Sequence, residues 1–339
     1  MTKREIIKQN KEAIECILER YELNGKEMLD LFGILSIIGT DFLVELSEII
    51  PEEGFQFDYE KMDIRDSIKL VREFLVNIDK KYLEIFDKAL NDGTFELFLE
   101  EDDLVERPDE PITMPNPTAI IYIPVQNKIT DGQIIIHEFF LYLNDNDDIV
   151  VNREVFTEMI SIYFELRFCN FLEEKGITKD LFNKEVCERL DNALLSGDNL
   201  CFSSSSLDIY YNTGEINKRN IKFLDKYRQI YDYNKDDLVK FYHDSDFIDG
   251  ILCFNNDVSY VIGTLLSFYA LKEPIIYDIK MKYINDNINS MKIEDVFKTL
   301  DTNFGEYLEW LNACKDNLEI AMGEVYEKSY SDSRSNSSR

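Results

Sequence analysis

The sequence predicts a mainly α fold with one small β-sheet around residues 95–125, on three observations. Apolar residues recur at the i, i+3, i+4, i+7 spacing of helices along most of the 339 residues. Only one segment, 118–124 (Thr118-Ala-Ile-Ile-Tyr-Ile-Pro124), is β-branched in the manner of a strand, and prolines bound it. Short Asn, Asp, Gly and Pro clusters then punctuate the chain at intervals that suit helices joined by turns.

Taken in order, residues 3–50 read as two helices with a break at Asn24-Gly25. Ile6, Ile7, Ile14, Ile17 and Leu18 keep helical spacing before it, and Leu29, Leu31, Leu35, Ile38 and Phe42 after it. A turn follows at Pro51-Glu52-Glu53-Gly54. Asp63 is placed to cap a helix whose apolar face is Ile68, Val71, Phe74 and Leu75. The next helix, 79–90, closes on Asn91-Asp92-Gly93, glycine being the residue best suited to a left-handed terminus. Residues 100–117 carry carboxylates and then four prolines, which predicts a long irregular connection into the strand. Beyond Asp131 the pattern is helical again, over 131–144, 152–175, 178–196, 216–232, 257–272, 274–287 and 304–328. A polar break is expected at Cys201-Phe-Ser-Ser-Ser-Ser206, and the Ser-rich residues 329–339 read as a disordered tail. The expected organisation is N-terminal helices over 1–60, a core over 61–328 and the tail.

Charge narrows the partners. Lys and Arg number 37 against 67 Asp and Glu, a formal net charge of −30, which repels phosphate backbones and anionic headgroups. Neither nucleic acid nor a membrane is expected as a partner; a peptide or a basic protein is. Oligomeric state is not legible. Six cysteines without a CxxC pair suit reduced thiols, and the charged start MTKREIIKQNKEAIE lacks the apolar core of a signal peptide. A cytoplasmic location is the resulting expectation.

The chemistry concentrates in residues 134–165. His137-Glu138-Phe139-Phe140-Leu141 reproduces the HExxH arrangement, in which two histidines one turn apart bind zinc and the Glu activates the metal-bound water, except that Leu141 stands where the second His belongs. Glu158 follows His137 after enough chain for a helix, a turn and an antiparallel return. Glu154 and Glu158, four residues apart, share a helical face.

This stretch resembles the oligoendopeptidase F and thimet oligopeptidase family of zinc peptidases. Their third zinc ligand is the Glu of a segment E-x-x-S-x-x-x-E, matched here by Glu158-Met-Ile-Ser161-Ile-Tyr-Phe-Glu165. Ile129-Thr130-Asp131-Gly132 resembles the family's approach to the motif, and Tyr260-Val-Ile-Gly263 its C-terminal Y-x-x-G helix start. The likeness runs over about residues 60–320, strongest over 129–165, as in a truncated, degenerate relative. It implies a helical zincin-like peptidase core, with His137 and Glu158 as metal ligands, Glu138 as catalytic base and zinc as the cofactor.

Two catalytic elements depart from that pattern. Leucine has no lone pair to offer a metal, and residues 244–259 hold neither the His nor the Tyr that the family uses to stabilise the oxyanion. The expectation is therefore an incomplete metal site in a non-hydrolytic protein that binds peptides or a basic protein. If ancestral geometry survives, Leu141 faces His137 and Glu158, and Glu158 pairs with His137 or turns to solvent. One alternative is an active zinc metallopeptidase with Asn144, Glu154 or His243 as substitute ligand. Another is a helical scaffold unrelated to peptidases. Nucleotide-binding glycine motifs, a G-x-S-x-G elbow and paired Glu-x-x-His motifs are all missing from the sequence.

Overall fold

The computed structural model describes residues 2–20, 55, 57–99, 112–114, 120–144, 151–217, 219–220, 239–240, 242–244, 247–303, 306–307, 309–310 and 313. Within them the protein is mainly helical with one small sheet, as expected. Helix α1 spans Lys3–Arg20, α2 Ile64–Ile78 and α3 Lys80–Asp92. Strands β1 Phe95–Leu99, β2 Ile112–Met114 and β3 Ile120–Val125 follow. The C-terminal half is helical: α4 Asp131–Tyr142, α5 Val151–Glu174, α6 Leu181–Thr213, α7 Phe247–Leu252, α8 Phe254–Leu271, α9 Pro274–Asn287, a 3-10 turn at Ile288–Ser290 and α10 Ile293–Thr299.

The caps behave as their sequences require. The Asp63 carboxylate accepts from the Arg65 amide at 2.8 Å and opens α2, and Asp79 does the same for α3 through Lys81. Gly93 ends α3 at φ 80°, a conformation without penalty only for glycine. In the sheet β3 lies between the other two strands. It pairs parallel with β1, from Phe95 opposite Ile121 to Leu99 opposite Val125, and antiparallel with β2.

From β3 the chain turns into α4 through a latch. The buried Asp131 carboxylate accepts from the Gln126 amide at 3.0 Å and the Lys128 amide at 3.2 Å, fixing where the helix starts. Gly132 then lies against Phe168 of α5, closer than any Cβ could sit. Helix α5 lies at the heart of the described core, with Met159, Ile160, Ile162, Tyr163, Phe164 and Leu166 all fully buried. A helix apolar on nearly every side must be covered on every side; α4, α6 and α8 pack around this one. Phe140 of α4 stacks on Phe164 of α5 with ring centroids 4.2 Å apart. Ile14 and Ile17 of α1 belong to the same hydrophobic cluster as the rest of the core.

Several expectations need correction. The polar break at 201–206 does not exist: α6 runs through it to Thr213, ending at Gly214 with φ 71°. Serine is only a modestly poor helix former. Here Ser203 and Ser206 turn inward beside buried Leu207, Ile209 and Tyr210, so packing overrides composition. Ile216 and Asn217 are not helical, and the rest of the helix expected over 216–232 falls almost wholly outside the described residues. Part of the connection expected to be irregular forms β2 by pairing with β3. Helices α7 and α10 had no periodic signal because each is about two turns long. The second N-terminal helix, the turn at 51–54 and the Ser-rich tail lie outside the described residues, as does most of the helix expected over 304–328. Among the described residues no helix is long and apolar enough to cross a membrane.

Candidate functional site

His137 sits on the inward face of α4 at 8% exposure, and α5 presents carboxylates to both of its ring nitrogens. Nδ1 lies 2.8 Å from Oε2 of Glu165, a hydrogen bond; Nε2 lies 3.5 Å from Oε1 of Glu158, an ion-pair separation too long for a good one. Glu158 and Glu165 stand seven residues, two helical turns, apart, so the imidazole fits between their side chains. Glu158 is buried, and its Oε1 has no hydrogen-bond partner. Above it Gly263 of α8 comes so close that a Cβ there would meet Glu158 Cβ and Cγ at 3.1 Å and the Met159 nitrogen at 3.0 Å. The sequence matches at Glu158-x-x-Ser161-x-x-x-Glu165 and at Tyr260-x-x-Gly263 thus meet in space.

Helix α6 adds residues that the sequence did not single out. Arg189 Nη2 donates to both oxygens of Glu165, at 2.6 and 2.5 Å, and its Nε donates to Glu185 Oε1 at 3.1 Å. Gln133, one turn before His137, donates to the other oxygen of Glu185 and accepts from the Cys169 thiol at 3.4 Å. A polar chain from Cys169 through Gln133, Glu185, Arg189 and Glu165 to His137 therefore crosses three helices inside the core. A signal did exist. Glu185 and Arg189 lie four apart on a helix whose Leu181, Val186 and Leu190 are apolar and buried, and charges on such a face need partners.

The electrostatics follow from burial against these partners. Burial pulls the His137 imidazole toward neutrality, but the Glu158 charge and the Glu165 hydrogen bond outweigh it and raise its pKa above the ordinary value. Burial pushes the Glu165 carboxyl up; the Arg189 guanidinium and the His137 contacts bring it down to about 2. Glu185 goes the other way, held well above the carboxylate range by burial and by the charge of Glu165. Glu138 is half-buried next to His137, and burial raises it too, with the charges of Glu158 and Glu165 adding to the shift.

The candidate substitute ligands are occupied elsewhere or undescribed. The Asn144 amide donates to Phe140 O and to Asn285 Oδ1, at 2.9 and 2.8 Å, and so is bound toward α9. His243 lies among other charges, those of Lys3 and Glu215, in a segment that Asn10 of α1 clamps through the carbonyls of Tyr242 and Asp244. The Glu154 side chain lies outside the described residues. Leu141 is half-buried. Among the described residues no group of three or more His, Cys, Asp and Glu is arranged to hold a metal ion. No family model, curated protein or solved structure matches the chain.

Proposed function

We infer that this protein is a non-hydrolytic relative of the oligoendopeptidase F and thimet oligopeptidase type, with a zincin-like helical core, and that it works by binding a basic peptide or protein. The observation that carries the reading is the His137 ring held between Glu158 and Glu165, with Arg189 bonded to the latter. Two carboxylates face two cationic side chains there, so the charge of the cluster is balanced by the protein's own groups. His137 and Glu158 supply two donors, whereas a catalytic zinc takes three protein ligands and an open position. Without that third donor the residues do not fit a catalytic zinc, and Glu138 has no activated water to deprotonate. The net charge of −30 supports a basic partner over a phosphate-rich one.

Metal analysis of the purified protein, alongside exposure to a mixed peptide library, tests this. The expected result is zinc well below one equivalent and no cleavage above that of a Glu138→Gln control. Stoichiometric zinc removable by chelator would contradict it.

One observation favours the active-enzyme alternative. The 3.5 Å between His137 Nε2 and Glu158 Oε1 is near the ~3.4 Å expected for two ligands of one tetrahedral zinc with bonds of about 2.0–2.2 Å, and Oε1 is unpartnered. Glu165 would then be the carboxylate that orients the ligating imidazole. That reading needs a third donor and predicts cleavage that Glu138→Gln abolishes.

A further inference from the structure

Away from His137, a groove of about 460 Å³ opens between α2, α5 and α9. Phe74, Phe171 and Ile279 form apolar walls, and Arg167, Lys282, Glu174 and Asp278 contribute charge. Beside it α9 carries an uncovered apolar stripe. Ile275, Ile279 and Tyr283, each four residues on from the last, are 83%, 72% and 55% exposed. Inward, α9 is firmly seated by buried Tyr277, Met281 and Ile284, so the stripe is a feature of a rigid element.

We propose that this groove and stripe dock a basic amphipathic segment of another protein, whose apolar face covers Ile275, Ile279 and Tyr283 while one Lys or Arg side chain enters the groove toward Glu174. This rests on the reading that the protein binds a basic partner and assigns that partner a surface. The lining suits such a side chain at both ends: an aliphatic stem against Phe171 and Ile279, a cationic head at a carboxylate. Among the described residues, the two cations lining the groove and Lys175 beside it are already matched by carboxylates. Arg167 is bound bidentately by Asp278 at 3.0 and 3.1 Å, Lys282 is paired with Asp79, and Lys175 with Glu73. Glu174 makes no salt bridge of its own among the described residues, although its charge acts on Arg167, and it is the carboxylate left over on the groove wall. A second copy is the poorer occupant, since each chain carries −30, and an anionic membrane is excluded by the same charge.

The test is titration with a labelled helical peptide of leucine and lysine alone, and with its leucine–glutamate counterpart. Wild type, Ile279→Asp, Glu174→Lys and Glu60→Lys, which makes the same charge change at an exposed site outside the groove, are compared. All three substituted positions are exposed, and circular dichroism checks that each variant is folded. The expected result is binding of the basic peptide only, weakened about tenfold or more by Ile279→Asp and Glu174→Lys and little by Glu60→Lys. Equal binding by all four proteins overturns the groove assignment and leaves the basic-partner reading standing. Equal weakening by both lysine substitutions reduces the effect to overall charge and also overturns it. Failure of the wild type to bind the basic peptide overturns both proposals. Self-association of the wild type abolished by Ile279→Asp makes the stripe a contact between copies and overturns the partner assignment.

Discussion

Oε2 of Glu165 stands 2.8 Å from His137 Nδ1 while Arg189 donates to both oxygens of the same carboxylate, so one buried acid joins α4, α5 and α6. Replacing it with the isosteric Glu165→Gln removes the carboxylate that the two cations share, leaving Arg189 with Glu185 and His137 with only the 3.5 Å contact to Glu158. A loss of about 3–5 kcal/mol in chemical denaturation is expected. The acid limb should change as well. A carboxyl lowered to about 2 in the folded state, against 4.5 unfolded, contributes stability above pH 4.5 that is lost as pH falls toward 2. The variant should flatten that part of the stability profile.

Gly263 is where α8 meets Glu158. In Gly263→Ala the added methyl would lie 3.0 Å from the Met159 nitrogen, a backbone atom that cannot swing aside. The helices must separate or Glu158 must move, at about 1–3 kcal/mol despite the better helix propensity of alanine. A lowered Tm by calorimetry is the check, and an unchanged or raised one would show that the close approach is not a constraint.

Asp257, in the first turn of α8, is 6% exposed with an unpartnered Oδ2, and burial raises its carboxyl to about 7. Because the folded value lies above the unfolded 3.8, its contribution is complete below pH 3.8 and is lost as pH rises through 7. Asp257→Asn cannot ionise. It should match wild type near pH 4 and exceed it by a few kcal/mol at pH 8, measured as urea midpoints at the two pH values.

Much of this was legible in the sequence. Asp63 and Gly93 end their helices as their residue types dictate, since caps depend on local chemistry. The meeting of His137 with Glu158 was readable from the spacing of the two motifs. The roles of Arg189, Glu185 and Gln133 arise from three helices packing together, and no local pattern states which charges will share an interior. The helix through Ser203 and Ser206 is a further case: tertiary burial decides a segment whose composition points to a break.

On the proposed reading, a zinc centre has lost one ligand at Leu141 and closed on itself through His137, Glu158, Glu165 and Arg189. Equilibrium zinc titration of the parent protein and of Leu141→His separates this reading from its alternatives. A histidine one turn after His137 supplies the missing third donor. No stoichiometric binding by the parent and measurable binding by the variant are expected, without hydrolysis, because residues 244–259 offer neither His nor Tyr to stabilise an oxyanion. Zinc binding no tighter in Leu141→His than in the parent would mean that the two helices do not hold the remnant of a zinc site.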